Sequence, residues 1–259
     1  MAGPAIKLES VTKAFGGNRV LRGIDLEIPA GGSVVVIGPS GTGKTVLLKT
    51  LIGVHKPDGG KLTIDGADVK GLSAPDLRAL YGRFGMLFQK SGLFDSLPVW
   101  ENVAFRLLQQ DGMSRRDARD RAIEKLGLVG LAPTEADLFP SELSGGMQKR
   151  VGIARAMAAD PDVLLLDEPT AGLDPIMSNI INDLILEVMA ETGATVVSVN
   201  SDMKGAQRTA QTAAMIYDGH IIWTGPSTDM RDSGNPYVDQ FVNSRADGPI
   251  PTVVDPEAA

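Results

Sequence analysis

The chain contains no cysteine. That excludes disulfides and thiolate metal sites, and it fits a reducing compartment. Long apolar runs are also missing. The most hydrophobic stretches, such as "VVVI" and "VLLL", fall far short of the roughly 20 residues that a membrane-spanning helix needs. The opening "MAGPAIKLES" has no basic segment followed by an apolar one, so no signal peptide is expected. Basic charge is in deficit, with 25 Lys and Arg against 32 Asp and Glu for a net −7. A broad nucleic-acid surface needs the opposite sign, so no nucleic-acid partner is expected. Histidine is scarce. Only His55 and His220 occur, and any histidine-dependent step has just these two candidates.

What is present fits an ordinary globular chain: 259 residues, 43% hydrophobic and 22% charged, long enough for one large α/β domain or two small ones. "IKLESVTKAF" and "VLRGIDLEIP" alternate apolar and polar residues and read as half-exposed antiparallel strands. "GSVVVIG", "DVLLLDE" and "TVVSVN" are continuous apolar runs, the signature of strands covered on both faces. "GKTVLLKTLIGV" and "PIMSNIINDLILEVMAETG" have helical spacing. The stretch from about Ala74 to Ala159 carries helical patterns, including "SRRDARDRAIEKLGLVGL" and "GGMQKRVGIARAMAA", and reads as a helical insertion. "AAMIYDGHIIWTG" predicts a hairpin around Asp218-Gly219. Buried strands alternating with helices predict a largely parallel sheet. The Pro-rich, acidic end, "DGPIPTVVDPEAA", predicts an extended tail.

The sharpest motif is "GPSGTGKT": Gly38, Pro39, Ser40, Gly41, Thr42, Gly43, Lys44 and Thr45. It matches G-x-x-x-x-G-K-[ST] at every fixed position, with a buried strand before it and a helix after it. The glycines let backbone N–H groups turn inward around an anion, and the helix N-terminus adds a favourable dipole. Lys44 is placed for the β- and γ-phosphates of ATP, and Thr45 for Mg²⁺. "VLLLDE" ends a buried strand in two acids. Asp167 is the natural outer partner of Mg²⁺, and Glu168 the general base toward an attacking water.

"LSGGM" at 143–147 narrows the class. In order, "GPSGTGKT", Gln89 in "MLFQKSG" after a strand, "LSGGM", "VLLLDE" and "GLDP" resemble the nucleotide-binding subunit of ABC transporters over roughly residues 5–243. The resemblance implies a P-loop α/β cassette with a RecA-like parallel core, an N-terminal antiparallel β subdomain and a helical subdomain at about 90–160. The ATPase domain would span 1–245 and the tail 246–259. It implies that Phe15 stacks on adenine, and that Gln89 senses Mg²⁺ and the γ-phosphate and touches the membrane subunit. Ser144, Gly145 and Gly146 would cap ATP bound to an opposite subunit, and Asp174 would line the dimer interface. The working unit would be a head-to-tail dimer of two copies around two ATP, driving a separate integral membrane permease by ATP hydrolysis. "MLFQKSGLFDSLPVWENVAF", "EPTAGLDPI" and "RADGPIP" are similar to the ATPase of Mla-type systems, which move phospholipid between bacterial membranes. That narrower resemblance implies MCE-domain and STAS-domain partner subunits, a place on the cytoplasmic face of the inner membrane, and a tail that acts as an interaction arm. An importer for another solute, a cassette with little turnover, and a DNA-repair or ribosome-associated ATPase are the alternatives.

One position departs from the family pattern. Where the strand after Asp167 ends, the family carries a switch histidine followed by Asp. Here "VSVNSD" puts Ser201 before Asp202. His55 and His220 lie elsewhere and read as surface or half-buried residues. Ser201, or its neighbour Asn200, would substitute in a slow but real reaction, or the chain would bind ATP and barely turn over, or it is an altered copy of a normal protein.

Overall fold

The computed structural model describes residues 2–251. Its strands are β1 (Ile6–Phe15), β2 (Asn18–Ile28), β3 (Ser33–Ile37), β4 (Gly59–Ile64), β5 (Ala67–Asp68), β6 (Phe84–Leu87), β7 (Val163–Asp167), β8 (Thr195–Val199), β9 (Thr212–Tyr217) and β10 (His220–Pro226). Its α-helices are α1 (Lys44–Leu51), α2 (Ala74–Tyr81), α3 (Val99–Gln109), α4 (Arg115–Leu128), α5 (Gly145–Met157), α6 (Pro175–Thr192), α7 (Met203–Thr209) and α8 (Pro236–Val242).

Two sheets result. The first is antiparallel, in the order β2-β1-β4-β5. The second has the order β10-β9-β3-β8-β7-β6, with its five inner and far strands parallel and β10 antiparallel at one edge. Every residue of β3, β7 and β8 is buried, as their unbroken apolar runs require. The expected hairpin is present: Asp218 and Gly219 both take positive φ between β9 and β10.

Three cores hold these layers together. Ile6, Leu8 and Leu26 of the antiparallel sheet pack with Leu47 and Leu48 of α1 and with Val34 and Val197 of the parallel sheet. On the other face, Val35, Ile37 and Met215 pack with Ala206 of α7 and Val238 and Val242 of α8. The third core joins α3, α4, α5 and α6 to β7 through Val103, Leu126, Val151, Ile181 and Leu166. Helix ends follow local chemistry. Ser114 caps α4, Asp174 caps α6 just before Pro175, and α6 stops at Gly193 in the left-handed region.

One expectation is corrected. The stretch 74–159 is not uniformly helical, because β6 lies inside it and pairs in parallel with β7. Four residues are too few to carry a periodic signal. The neighbouring strand makes them β, and Gly85 permits it: a Cβ there would sit 2.0 Å from the Ala156 carbonyl oxygen at the end of α5.

Candidate nucleotide site

Strand register assembles the site. Val36 of β3 and Asp167 of β7 both face Val199 of β8, and Leu87 of β6 faces Leu166. The loops after these four strands therefore leave from one row at the carboxyl edge of the sheet, where open α/β sheets bind ligands. They deliver Gly38–Thr45, Gln89, Asp167–Glu168 and Asn200–Ser201.

The loop after β3 is an anion cradle by construction. Gly38 sits at φ 143°, and a Cβ there would lie 2.2 Å from the Ile216 carbonyl oxygen, so only glycine fits. The Lys44 ammonium curls back over the loop and donates to the carbonyls of Gly38 (2.6 Å) and Pro39 (2.8 Å). The Thr42 hydroxyl donates to Pro39 as well (2.9 Å). Burial pushes the Lys44 ammonium below the usual lysine range, and the nearby Glu168 and Asp167 oppose that shift. Ser40 and Gly41 are exposed at the tip.

Asp167 is buried, and the Thr45 hydroxyl donates to its Oδ1 at 3.3 Å. Burial raises this carboxyl above the usual range, while the Thr45 hydrogen bond acts the other way. The pair fits Mg²⁺, a hard cation that takes oxygen ligands. Among the described residues, no cluster of three or more Asp, Glu, His or Cys side chains forms. That suits Mg²⁺, which is commonly held by one or two protein groups with substrate phosphates and water.

Glu168 lies in the left-handed region at φ 51°, uncommon for a residue with a side chain. Its N–H donates to the Val199 carbonyl (2.9 Å). Its Oε2 accepts two hydrogen bonds from Ser201, one from the hydroxyl (2.7 Å) and one from the backbone N–H (3.0 Å). Ser201, expected from the resemblance to stand at a histidine position, thus grips the carboxylate of the expected base. Asn200 is buried, and its Oδ1 accepts from the Asp202 N–H (2.9 Å), so its side chain carbonyl is committed to the turn.

The other expected residues are more dispersed. The Gln89 side chain is exposed, while its backbone carbonyl accepts from the Lys149 ammonium (2.5 Å). Ser144 caps α5 through the Met147 N–H (3.3 Å), and Ser144 and Gly145 are exposed. Gly146 is buried against α6, where a Cβ would meet Met177 at 2.7 Å. Among the described residues, no hydrogen bond joins 144–146 to the 38–45 loop of the same chain. Asp174 accepts from the N–H groups of Ile176 and Met177 and is exposed. Phe15 is 42% exposed, so its ring is not part of the core. Its ring packs edge-on against His55 (4.9 Å between centroids), so His55 is half-buried. His220 is exposed in the β9–β10 hairpin. The tail lies within the described residues only up to 251, and its remaining eight positions lie outside them.

Two contributors escape a linear reading. Lys149 and Arg155 look like solvated helix charges in "GGMQKRVGIARAM". In the fold Lys149 is 5% exposed and donates to Gln89 and to the Glu168 carbonyl (3.1 Å). Arg155 donates to the carbonyls of Ser91 and Gly92. The signal was available for Lys149: it falls three residues after Gly146 and four before Ile153, on the buried stripe of α5.

A glycine-rich loop between strand and helix, facing an acid-tipped strand at the edge of a parallel sheet, defines a P-loop nucleotide-binding protein. Within that class, residues 21–171 match the ABC transporter family. The chain belongs to that family as an ATP-binding domain. It is 41% identical, over 96% of its length and 71% of the relative's, to the probable ribonucleotide transport ATP-binding protein mkl of Mycobacterium leprae. It is 35% identical, over 95% of its length and 91% of the relative's, to the intermembrane phospholipid transport system ATP-binding protein MlaF of Escherichia coli K12. A solved dimeric structure of the ATP-binding cassette MJ0796 bound to ADP and phosphate superposes with a TM-score of 0.78 at 33% identity. That match covers 86% of this chain and 98% of the cassette. Fold and recognition therefore stand as the motifs predicted, down to the likeness with an Mla-type ATPase.

Proposed function

We propose that this chain hydrolyses ATP with Glu168 as general base, Ser201 standing in for the missing histidine. The observation that carries the reading is the two-donor grip of Ser201 on Glu168 at the sheet edge that also bears Lys44, Thr45 and Asp167. Residues 38–43 bind the phosphates through backbone N–H groups, and Lys44 swings from the loop carbonyls to the phosphate oxygens. Thr45, Asp167 and Gln89 hold Mg²⁺, which supplies charge neutralisation for the transferring phosphoryl group. Glu168 accepts the proton of the attacking water. Ser201 keeps its carboxylate aimed but cannot carry positive charge, so the reaction is slower than a histidine would allow. The test is turnover in the complex with the permease. Wild type must exceed Glu168→Gln clearly, and equal rates would sink the reading.

The working unit is a head-to-tail dimer around two ATP. Exposed Ser144 and Gly145, remote from their own loop in hydrogen bonding, favour it, as does exposed Ile176 (74%) beside the Asp174 cap. In that dimer Ser144–Gly146 cap the partner's ATP, and Phe15 faces adenine. ATP-dependent dimerisation of Glu168→Gln by light scattering tests it; a monomer at saturating ATP refutes it.

The permease docks in a cleft of about 480 Å³ beside Gln89, lined by Phe88, Phe94, Phe105 and Arg155. Among the described residues no helix is long and apolar enough to cross a membrane, and this reading assigns the spanning part to a separate permease chain. The cargo is phospholipid, supported by the MlaF likeness over nearly the whole chain. The setting is then the cytoplasmic face of a bacterial inner membrane, with MCE- and STAS-domain subunits as partners. Purification of the assembled complex decides this: a periplasmic solute-binding protein in place of an MCE-domain subunit would overturn it.

A further inference from the structure

Lys149 does something that the residues of the nucleotide site leave unexplained. It is a buried ammonium on the second turn of α5, and its described partners are two backbone carbonyls, those of Gln89 and Glu168. A neutral side chain could serve two carbonyls at lower desolvation cost. Its two acceptors also belong to different elements, the loop after β6 and the turn after β7. Three parts of the site therefore meet at one nitrogen: the helix that begins at Ser144, the Gln89 loop, and the expected base.

The Glu168 end of this link is under strain. Left-handed backbone is unfavourable for a residue with a side chain and persists only when its surroundings enforce it. Here the N–H is held by Val199 and the carboxylate by Ser201, while the carbonyl accepts from both the Lys149 ammonium (3.1 Å) and the Ala171 N–H (3.2 Å). The loop end is held by the same helix twice, since Arg155 takes the carbonyls of Ser91 and Gly92. Among the described hydrogen bonds of α5, it is Lys149 and not Arg155 that reaches across to Glu168.

We infer that Lys149 is a positioning residue for hydrolysis: it fixes the Glu168 backbone in its left-handed form and ties that form to the Gln89 loop. This rests on the ATPase reading above. The same ammonium lies 2.5 Å from the Gln89 carbonyl and 3.1 Å from that of Glu168, so one side chain links the two segments.

The test uses the purified chain with Mg-ATP and three variants. Lys149→Met keeps the length and removes the donors. Its kcat should fall about 10- to 100-fold, the size of a lost charge-assisted hydrogen bond. Its KM should stay within about threefold of wild type, because Lys149 donates to none of residues 38–45. Lys149→Arg should recover part of kcat. Arg155→Met loosens the same loop without touching Glu168 and should lose less than Lys149→Met. Amide exchange on the chain without nucleotide gives an independent readout. The Glu168 and Ser201 N–H groups should exchange at least tenfold faster in Lys149→Met, with α1 unchanged. Wild-type kcat in Lys149→Met, equal losses in the Lys149 and Arg155 variants, or unchanged exchange at Glu168 overturns the inference. A wild type that hydrolyses nothing, alone and in the complex with the permease, defeats the ATPase reading instead, and the exchange measurement then decides the anchoring alone.

Discussion

Replacing Ser201 with alanine isolates the step on which the catalytic reading turns. Oε2 of Glu168 has two donors from this residue, the hydroxyl at 2.7 Å and the backbone N–H at 3.0 Å, and Ser201→Ala removes only the first. A hydrogen bond to an ionised group is worth about 1.5–3 kcal/mol when buried. Ser201 is exposed, and the remaining N–H keeps part of the aim, so the lower end applies. About 1.4 kcal/mol in the transition state is a tenfold loss of kcat. KM for Mg-ATP should not move, because the described hydrogen bonds of Ser201 reach neither Lys44 nor Thr45 nor the loop. Phosphate release by the complex with its permease measures both constants. Ser201→His should act in the opposite direction, restoring a ring donor that can carry charge and raising kcat above wild type. Unchanged kcat in Ser201→Ala, or a rise in KM that accounts for the whole loss, would refute the role given to Ser201.

Other outcomes follow from single contacts. Gly38→Ala, with its Cβ 2.2 Å from a carbonyl oxygen at φ 143°, should cost about 3 kcal/mol or more and lower Tm by roughly 10 °C in calorimetry. Asn102 is fully buried; its side chain accepts from the Phe94 N–H and donates to the carbonyls of Phe94, Leu97 and Pro98. Asn102→Ala should therefore destabilise by about 2–4 kcal/mol, read from urea midpoints at constant m. Gln240 is buried and exchanges two hydrogen bonds with the backbone of Ile250 (2.6 and 3.0 Å). Gln240→Ala should free residues 245–251, seen as faster amide exchange there and an unchanged rate at α7.

Legibility in the sequence tracked the range of the interactions. The phosphate loop was readable because its eight residues are contiguous and its chemistry is backbone chemistry. The buried strands were readable because both faces are covered. β6 was readable only in part: a strand was expected before Gln89, yet its four residues lay inside a stretch read as helical, and pairing with β7 makes them a strand. Lys149 was hidden for a related reason: charge argued for solvent, and only the position of Gln89 and Glu168 makes burial tolerable.

The order of motifs, read alone, determined that this is an ABC-type nucleotide-binding cassette, and it drew attention to Ser201. It could not determine that Ser201 touches Glu168, 33 residues away along the chain. That contact exists because β7 and β8 run parallel in a register that sets Asp167 beside Val199, so the residues just past them turn toward each other. Strand register is a property of packed sheets and not of either segment, so the tertiary structure alone decided which residue holds the Glu168 carboxylate.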